Sequence, residues 1–307
     1  MDSKILYHYS GNIKCFNILN NKNIRLSDIR KSNDYAEMQI FYPNILDAVQ
    51  NEYLKNPFDF EYEDKKGNEG ITLLLSQTKK QLDSSFNEGK ITSYVLCLSE
   101  EGDLLSQWRG YADNGKGCSI GFEMDALKTF CDESDGIFRL EKIKYLTKQD
   151  TETLIIERAI FLNKRLQARY LELKEKSDNS PAKIFSRFFL DLIEEIGKSI
   201  VYKSIGFAEE KEWRLYINDW ISKSFIGYNV KDIRGKVANY LEDKISYHYT
   251  DNDIISFTTF DFGDAPSKYV KRIILGPSNK ISKKDIEKFL KQNNYVTEVV
   301  RSEITYT

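Results

Sequence analysis

The sequence predicts a single α+β domain with a helical hairpin inserted into a β-rich chain. Short β-branched and aromatic runs recur at both ends and in the middle of the 307 residues, and turn-forming residues bound most of them; this pattern is typical of strands. From about 148 to 203, apolar residues recur instead at helical spacing. The sequence shows no repeat, low-complexity segment or long linker. We therefore expect one domain over residues 1–307.

The first half of the chain is predicted to mix short strands with helices. Strands are expected at residues 5–9, 24–27, 94–98, 118–122 and 137–145. Asn12 is expected to cap a short helix, and apolar spacing predicts two more helices over 35–54 and 70–86, with a polar, acidic loop around 58–69. Residues 104–112 are expected to form a short helix or an ordered loop.

The second half is predicted to begin with the helical hairpin and to return to strands. Pro181 separates two helical patterns within 148–203, and the alternating charges of this hairpin indicate a solvated surface rather than a binding surface. Strands are expected at residues 213–217, 253–262, 269–275 and 295–300, with a helix near 282–292.

The composition is that of a globular, cytosolic protein. Lys plus Arg number 45 against 47 Asp plus Glu, a net charge of -2, which argues against a protein that coats nucleic acid. The four cysteines are widely spaced and the chain has only two histidines, so a metal site is not expected. With no apolar leader and no membrane-length apolar stretch, we expect a cytoplasmic protein with reduced cysteines and no membrane association.

The segment Glu209-Glu210-Lys211-Glu212-Trp213-Arg214 is the first candidate site. If it forms a strand, Glu210 and Glu212 point to one face and Glu209 to the other. Two neighbouring carboxylates repel each other unless a ligand or a reaction uses them, and carboxylates are common acid-base and cation-stabilising groups. The alternative is a solvated edge strand whose charges discourage aggregation.

His8 and the cluster around Arg109 are further candidates. His8 lies between two tyrosines on the first predicted strand, and it is either a donor to a ligand or a half-buried histidine with a structural role. Arg109, next to Trp108 and Tyr111, could clamp a phosphate or carboxylate. It could equally pair with one of many acids in an anchored loop.

Several segments together resemble the bacterial family catalogued as domain of unknown function 2971. They are Leu6-Tyr7-His8-Tyr9-Ser10, Ile24-Arg25-Leu26-Ser27, Ser32-Asn33-Asp34 with Glu37, Val95-Leu96-Cys97-Leu98-Ser99-Glu100, Trp108-Arg109-Gly110-Tyr111-Ala112 with Gly117, Ile120-Gly121-Phe122-Glu123, Glu210-Lys211-Glu212-Trp213-Arg214-Leu215 and Ile273-Ile274-Leu275-Gly276-Pro277. The resemblance extends over nearly the whole chain apart from the hairpin. The layout is also similar, more weakly, to the ADP-ribosyltransferase superfamily.

The second resemblance implies an ADP-ribosyltransferase-like split β-sheet core and NAD as substrate. His8, Ser27 and Glu212 would occupy the three motif positions, with Glu210 completing a Glu-x-Glu pair, although the usual Ser-Thr-Ser motif is not intact around Ser27. Glu212 would stabilise the oxocarbenium-like ribose, Glu210 would position or deprotonate the acceptor, and His8 would hold a ribose hydroxyl.

The remaining groups implied by the resemblance would bind the other parts of NAD. Tyr9 or Tyr111 would stack on nicotinamide and Arg109 would meet the diphosphate. The acceptor could be protein, nucleic acid, a small molecule or water. Such an enzyme could serve as a toxin or anti-phage effector, with a regulatory or antitoxin partner.

Two other classes of function stay open. One is a non-catalytic module that binds a nucleotide or a partner protein. The other is a nuclease, for which Asp34, Glu37 and the acids at 209–212 would have to converge on a metal. The enzyme hypothesis expects His8, Arg109 and Glu212 to line one cleft.

Overall fold

The α+β class is confirmed. A computed structural model describes residues 4–31, 41–42, 44–88, 91–178, 180–219, 233–263 and 265–305. A ten-stranded, mostly antiparallel sheet forms the centre, and helices cover both of its faces. No helix within these ranges is both long and apolar enough to cross a membrane.

The elements follow one another in a mixed order along the chain. The strands are β1 (Ile5–Ser10), β2 (Asn23–Asp28), β3 (Glu61–Tyr62), β4 (Lys65–Lys66), β5 (Ser93–Ser99), β6 (Cys118–Glu123), β7 (Arg139–Lys142), β8 (Lys144–Leu146), β9 (Tyr202–Ser204), β10 (Glu212–Asn218), β11 (Ser246–Tyr249), β12 (Ile254–Asp261), β13 (Val270–Leu275) and β14 (Glu298–Arg301). The helices are α1 (Asn12–Asn21), α2 (Asn44–Lys55), α3 (Gly67–Asn87), α4 (Leu105–Tyr111), α5 (Met124–Glu133), α6 (Lys148–Glu175), α7 (Pro181–Gly197), α8 (Ile233–Glu242), α9 (Pro266–Tyr269) and α10 (Lys283–Gln292), with 3₁₀ turns at Ile29–Lys31, Lys198–Val201 and Ile205–Glu210.

The main sheet forks at β5. Its order is β11-β12-β2-β5-β1-β6-β13-β14, and β10 pairs with β5 as well, with β7 beyond it. On one edge β5 pairs with β10 along its whole length, from Ser93 to Ser99. On its other edge, and within the described residues, β5 pairs with β1 only at Ser99 and with β2 only at Val95 and Tyr94. Strands β1 and β2 therefore separate beside the middle of β5.

Two main cores form because alternate strand residues point to opposite faces. On one face, Leu96, Leu98 and the apolar residues of β6 and β13 pack under helices α1, α5 and α10. On the other face, Val95 and Tyr216 pack under α2, α3, α6 and α7. A third, small cluster on this second face joins Tyr9 to Trp108 of α4.

Helices α6 and α7 occupy most of the stretch from 148 to 203. Helix α6 begins at a capping box, in which the Thr147 hydroxyl accepts from the Asp150 N–H and the Asp150 carboxylate accepts from the Thr147 N–H, and such a cap fixes where a helix starts. Between α6 and α7, buried Asp191 forms ion pairs with Arg165 and Arg169. Part of the charge alternation in this hairpin therefore forms interhelical ion pairs rather than a purely solvated surface.

The structure corrects several boundaries. The predicted strand 137–145 is divided at Ile143 into β7 and β8, which pair in different sheets, and the acidic loop around 58–69 contains the β3–β4 hairpin. Gly11, rather than Asn12, occupies the position before α1. Helices α5 and α8 and strand β11 were not predicted, the last strand starts at Glu298 rather than 295, and residues 35–40 of a predicted helix lie outside the described ranges.

The packing of α6 predicts unequal effects of one substitution at two sites. Leu166 is 3% exposed and Leu171 is 47% exposed on the same helix. We expect Leu166→Ala to lower the free energy of unfolding by about 2–5 kcal/mol, because it leaves a cavity in the core. Leu171→Ala, the matched control, should change it by about 0.5 kcal/mol or less. Urea unfolding measures both, and equal losses would contradict the assigned packing.

Candidate active site

A cavity of about 140 Å³ lies beside the fork of the sheet. Its lining residues are Tyr7, His8, Tyr9, Cys97, Leu98, Ser99, Gln107, Tyr111, Lys203, Glu210 and Glu212. They come from β1, β5, α4, β9, the 3₁₀ turn Ile205–Glu210 and the start of β10, so the cavity forms only when distant parts of the chain meet. An enclosed apolar cavity of about 150 Å³ accepts one benzene ring, so this cavity has room for a single ring.

His8 lies at the fork and forms a hydrogen bond with the Cys97 carbonyl, a backbone group that the fork exposes. Because β1 and β2 diverge, the described strands leave the Cys97 carbonyl without a ladder partner on that edge. The His8 Nδ1 lies 3.1 Å from the Cys97 carbonyl oxygen. A carbonyl only accepts, so Nδ1 carries the proton and Nε2 is left as an acceptor. Burial lowers the pKa of His8, with Lys14 acting in the same direction, so the imidazole is neutral at pH 7.

Glu212 is a buried carboxylate held in its ionised form. Its Oε1 accepts from Arg214 Nε at 2.7 Å, and its Oε2 lies 3.2 Å from Lys203 Nζ. Burial raises the pKa of Glu212, but Arg214 and Lys203 outweigh this effect, so the pKa lies below its ordinary value. Both cations are 1% exposed, and buried charges of this kind are tolerated only when they are paired.

Glu210 reaches the same cavity by a different backbone route from the one the sequence suggested. It ends a 3₁₀ turn, and Lys211 then adopts a left-handed conformation at φ 45° before the strand begins at Glu212. The same-face argument from strand alternation is therefore wrong, since Glu210 is not on the strand. The turn still directs both carboxylates to Lys203, with Glu210 Oε2 at 2.7 Å from Nζ. Glu209 is exposed.

Cys97 adds a thiol to the cavity. Its side chain is exposed there, in the same lining as the Glu212 carboxylate. Burial of the surrounding site raises the pKa of Cys97 well above its ordinary value, and the Glu212 charge adds to the effect. The thiol is therefore protonated at neutral pH and acts as a weak hydrogen-bond donor rather than a nucleophile.

Two tyrosines named by the sequence also line the cavity, in different roles. The Tyr9 hydroxyl donates to the Glu101 carbonyl at 2.8 Å and accepts from the Leu104 N–H at 3.0 Å, which fixes the loop before α4. The Tyr111 hydroxyl donates to Glu210 Oε1 at 3.3 Å, and its side chain is 46% exposed. Tyr9 is thus a fixed wall, whereas Tyr111 stands at the mouth.

Ser27 and Arg109 are not among the residues that line the cavity. Ser27 pairs with Val95, two residues before Cys97 on the same face of the sheet. Arg109 lies exposed on α4. Of the three residues expected to line one cleft, His8 and Glu212 do so, and Arg109 does not. Asp34 and Glu37 lie outside the described residues.

Lys203 is the main functional candidate that the sequence reasoning missed. It is fully buried, bridges both glutamates, and its ammonium lies 4.6 Å from the centre of the Phe207 ring. The sequence places this lysine directly after the apolar run Ile200-Val201-Tyr202, a position that indicates burial. A buried lysine requires an acidic partner, so this position could have been recognised as a candidate. Cys97 and Ser99, on a strand that was predicted, carried no comparable signal.

No group of three or more His, Cys, Asp or Glu side chains in the described ranges is placed to hold a metal ion.

Residues 107–215 match the model of a family described as a protein of unknown function, DUF2971. The match runs from α4 to β10 and includes the α6–α7 hairpin, whereas the expected resemblance covered nearly the whole chain except the hairpin. It supports the similarity to DUF2971 and not the similarity to the ADP-ribosyltransferase superfamily. Comparison with curated proteins and with solved structures found no match.

The buried ion pairs predict a pH dependence of stability. The pKa of Glu212 is lower in the folded protein than its ordinary value of 4.5, so its charge stabilises the fold above pH 4.5 and this contribution disappears as the pH falls through the folded pKa. We expect Glu212→Gln to lower the free energy of unfolding at pH 7 by about 3 kcal/mol. The difference from wild type should shrink as the pH falls below 4.5.

Urea unfolding at several pH values tests this expectation. Glu209→Gln, the same change on the exposed neighbour, is the matched control and should follow wild type at every pH. A constant difference between Glu212→Gln and wild type from pH 7 to pH 3 would show that the charge of Glu212 contributes nothing to the fold.

Proposed function

We propose that the cavity binds the nicotinamide end of NAD and that the protein is an ADP-ribosyltransferase-like enzyme, acting as a transferase or an NAD glycohydrolase. The observation that carries this proposal is an ionised, buried Glu212 facing a single-ring cavity beside the neutral His8. The charged side chains of the lining are two carboxylates, Glu210 and Glu212, and one cation, Lys203. The carboxylates that face the cavity are complementary to the positive pyridinium ring of NAD.

The reaction breaks the bond between ribose C1′ and the pyridinium nitrogen. The bonding electron pair moves to the ring, so neutral nicotinamide leaves and positive charge develops on the ribose. Glu212, kept ionised by Arg214 and Lys203, would stabilise that charge. The acceptor or a water then bonds to C1′ and passes its proton to Glu210.

The ribose hydroxyls have partners in this arrangement. A carboxylate offers about four acceptor positions, and Arg214 and Lys203 donate three hydrogen bonds to Glu212. A ribose 2′-hydroxyl would donate to the remaining position. The free Nε2 of His8 would accept from a second hydroxyl, since Nδ1 is used by the Cys97 carbonyl. Tyr7 and Tyr111 would flank the nicotinamide ring.

A second candidate function is a non-catalytic module that binds a nucleotide or a partner. One observation favours it: both oxygens of Glu212 already accept from buried cations, with Arg214 also donating to the Ile200 carbonyl at 2.7 Å. A carboxylate in such a network can be structural. This candidate predicts NAD or nucleotide binding without any release of nicotinamide.

Nicotinamide release from labelled NAD in the presence of cell lysate distinguishes the two candidates. We expect the wild type to release nicotinamide, and Glu212→Gln to slow the release by about 100-fold or more while NAD still binds. Glu210→Gln leaves the Glu212–Arg214 pair in place and removes only the group that takes the proton of the acceptor or the water, so it should slow transfer and hydrolysis alike, and less than Glu212→Gln does. Circular dichroism establishes that each variant is folded.

Glu209→Gln is the matched control for both variants and should release nicotinamide at the wild-type rate. A folded, NAD-saturated wild type that neither releases nicotinamide nor labels any acceptor would exclude the enzyme and leave the binding module. Equal rates of nicotinamide release for wild type and folded Glu212→Gln would show that Glu212 takes no part in the reaction.

A further inference from the structure

The cavity continues into a row of side chains on one face of the sheet. Arg214 faces Cys97 across β10 and β5. Val95, two residues before Cys97, faces Ser27 of β2, so Arg25, two residues before Ser27, lies on this face as well. Strand β2 pairs with β5 at Ser27 and Asp28 and no longer at Arg25. The row therefore crosses the gap between the two strands.

The row extends to the edge of the sheet. Ser27 faces Phe257 of β12, and Phe257 in turn faces Ser246 of β11, which places His248 on the same face. The Arg25 guanidinium lies 4.3 Å from the centre of the Phe257 ring, and the centre of the His248 ring lies 5.6 Å from the same point. Phe257 therefore holds two basic groups close together.

Lys14, in the first turn of α1, belongs to the same region. Helix α1 connects β1 to β2 across the fork. Burial is the main reason why the pKa values of His8 and His248 are lowered, and the Lys14 charge contributes to both. The Lys14 charge therefore acts on the histidine in the cavity and on the histidine at the far end of the row.

Among the described residues, no carboxylate pairs with the basic groups of this region. No ion pair joins Lys14 or Arg25 to a carboxylate in the part of the chain that the structure describes. The Nδ1 of His248 is buried without a hydrogen-bond partner. Asp253, in the turn between β11 and β12, is held by Lys31 at 2.5 Å. Two cations without a paired acid in the described ranges attract anions, and His248, whose pKa is lowered, adds a neutral imidazole beside them.

We infer that Lys14, Arg25 and His248 form a diphosphate-binding subsite at the fork of the sheet. The inference rests on the proposed function, because it assigns the diphosphate of NAD to this subsite while nicotinamide occupies the cavity. Arg109, outside the cavity lining, would then have no part in holding the phosphates. Guanidinium and ammonium groups are the usual partners of phosphate oxygens, Arg through two parallel hydrogen bonds.

Calorimetric titration of the whole protein with inorganic pyrophosphate and with ADP-ribose tests the subsite without requiring any reaction. We expect both ligands to bind, and Arg25→Gln and Lys14→Gln each to raise the dissociation constants about tenfold or more. Two controls carry the same changes elsewhere: Arg109→Gln on α4 and Lys284→Gln, an exposed lysine in the first turn of α10. Both should stay within about twofold of wild type.

The outcomes separate this inference from the proposed function. Wild type that binds neither ligand, or affinities that fall with Arg109→Gln and not with Arg25→Gln, would overturn the subsite. Pyrophosphate binding that depends on Arg25 in a protein without nicotinamide release would support the subsite while the enzyme proposal fails. Nicotinamide release with an unchanged KM for NAD in Arg25→Gln and Lys14→Gln would support the enzyme and overturn the subsite.

Discussion

Burial of Arg214 is the constraint on which the site depends. Its guanidinium is 1% exposed, and it donates both to Glu212 and to the Ile200 carbonyl, which precedes β9. A cation so deep in the protein needs a carboxylate beside it, so Glu212 must occupy the first position of β10. Lys203, brought in by β9, then requires the second carboxylate, and Glu210 supplies it. The four charges form a neutral cluster whose carboxylates face the cavity.

The fork of the sheet provides the other half of the site. A continuous sheet would pair the Cys97 carbonyl with a neighbouring strand and leave no space for a ligand. The separation of β1 from β2 instead exposes that carbonyl, and His8 donates to it. One hydrogen bond thereby sets the tautomer of the imidazole and its place in the cavity wall. At His8, the pairing of the strands therefore determines which ring nitrogen is free to accept a hydrogen bond from a ligand.

The strands of the centre were predictable because each combines β-branched or aromatic residues with a turn signal. The α+β class and the positions of β1, β5, β6 and β13 followed from such runs. Helix α5 was missed because it follows β6 directly, with no turn residue between them. Strand β7 ends before Ile143 because its partner β10 and the partner of β8, which is β9, belong to different sheets. No local sequence pattern expresses this tertiary effect.

The candidate site was predictable in part. Clustered acids indicated Glu210 and Glu212, and flanking tyrosines indicated His8, but the backbone turn at Lys211 replaced the strand alternation on which the pairing was argued. Arg109 shared its segment with Trp108, which is buried. Adjacent residues on a helix point in different directions, so Trp108 and Arg109, although neighbours in sequence, do not share one surface. The role of Lys203 was not predictable, because it depends on the burial of its ammonium group, and only the folded chain defines that burial.

The central position of β5 determines when the site can exist during synthesis. This strand pairs with β1 and β2, which precede it by many residues, and with β10, which follows it by more than a hundred. Contacts between such distant segments form late and slowly. A chain still growing on the ribosome lacks the carboxylate wall of the cavity until β10 has emerged. Any activity of this site therefore begins only after more than two thirds of the chain has been made.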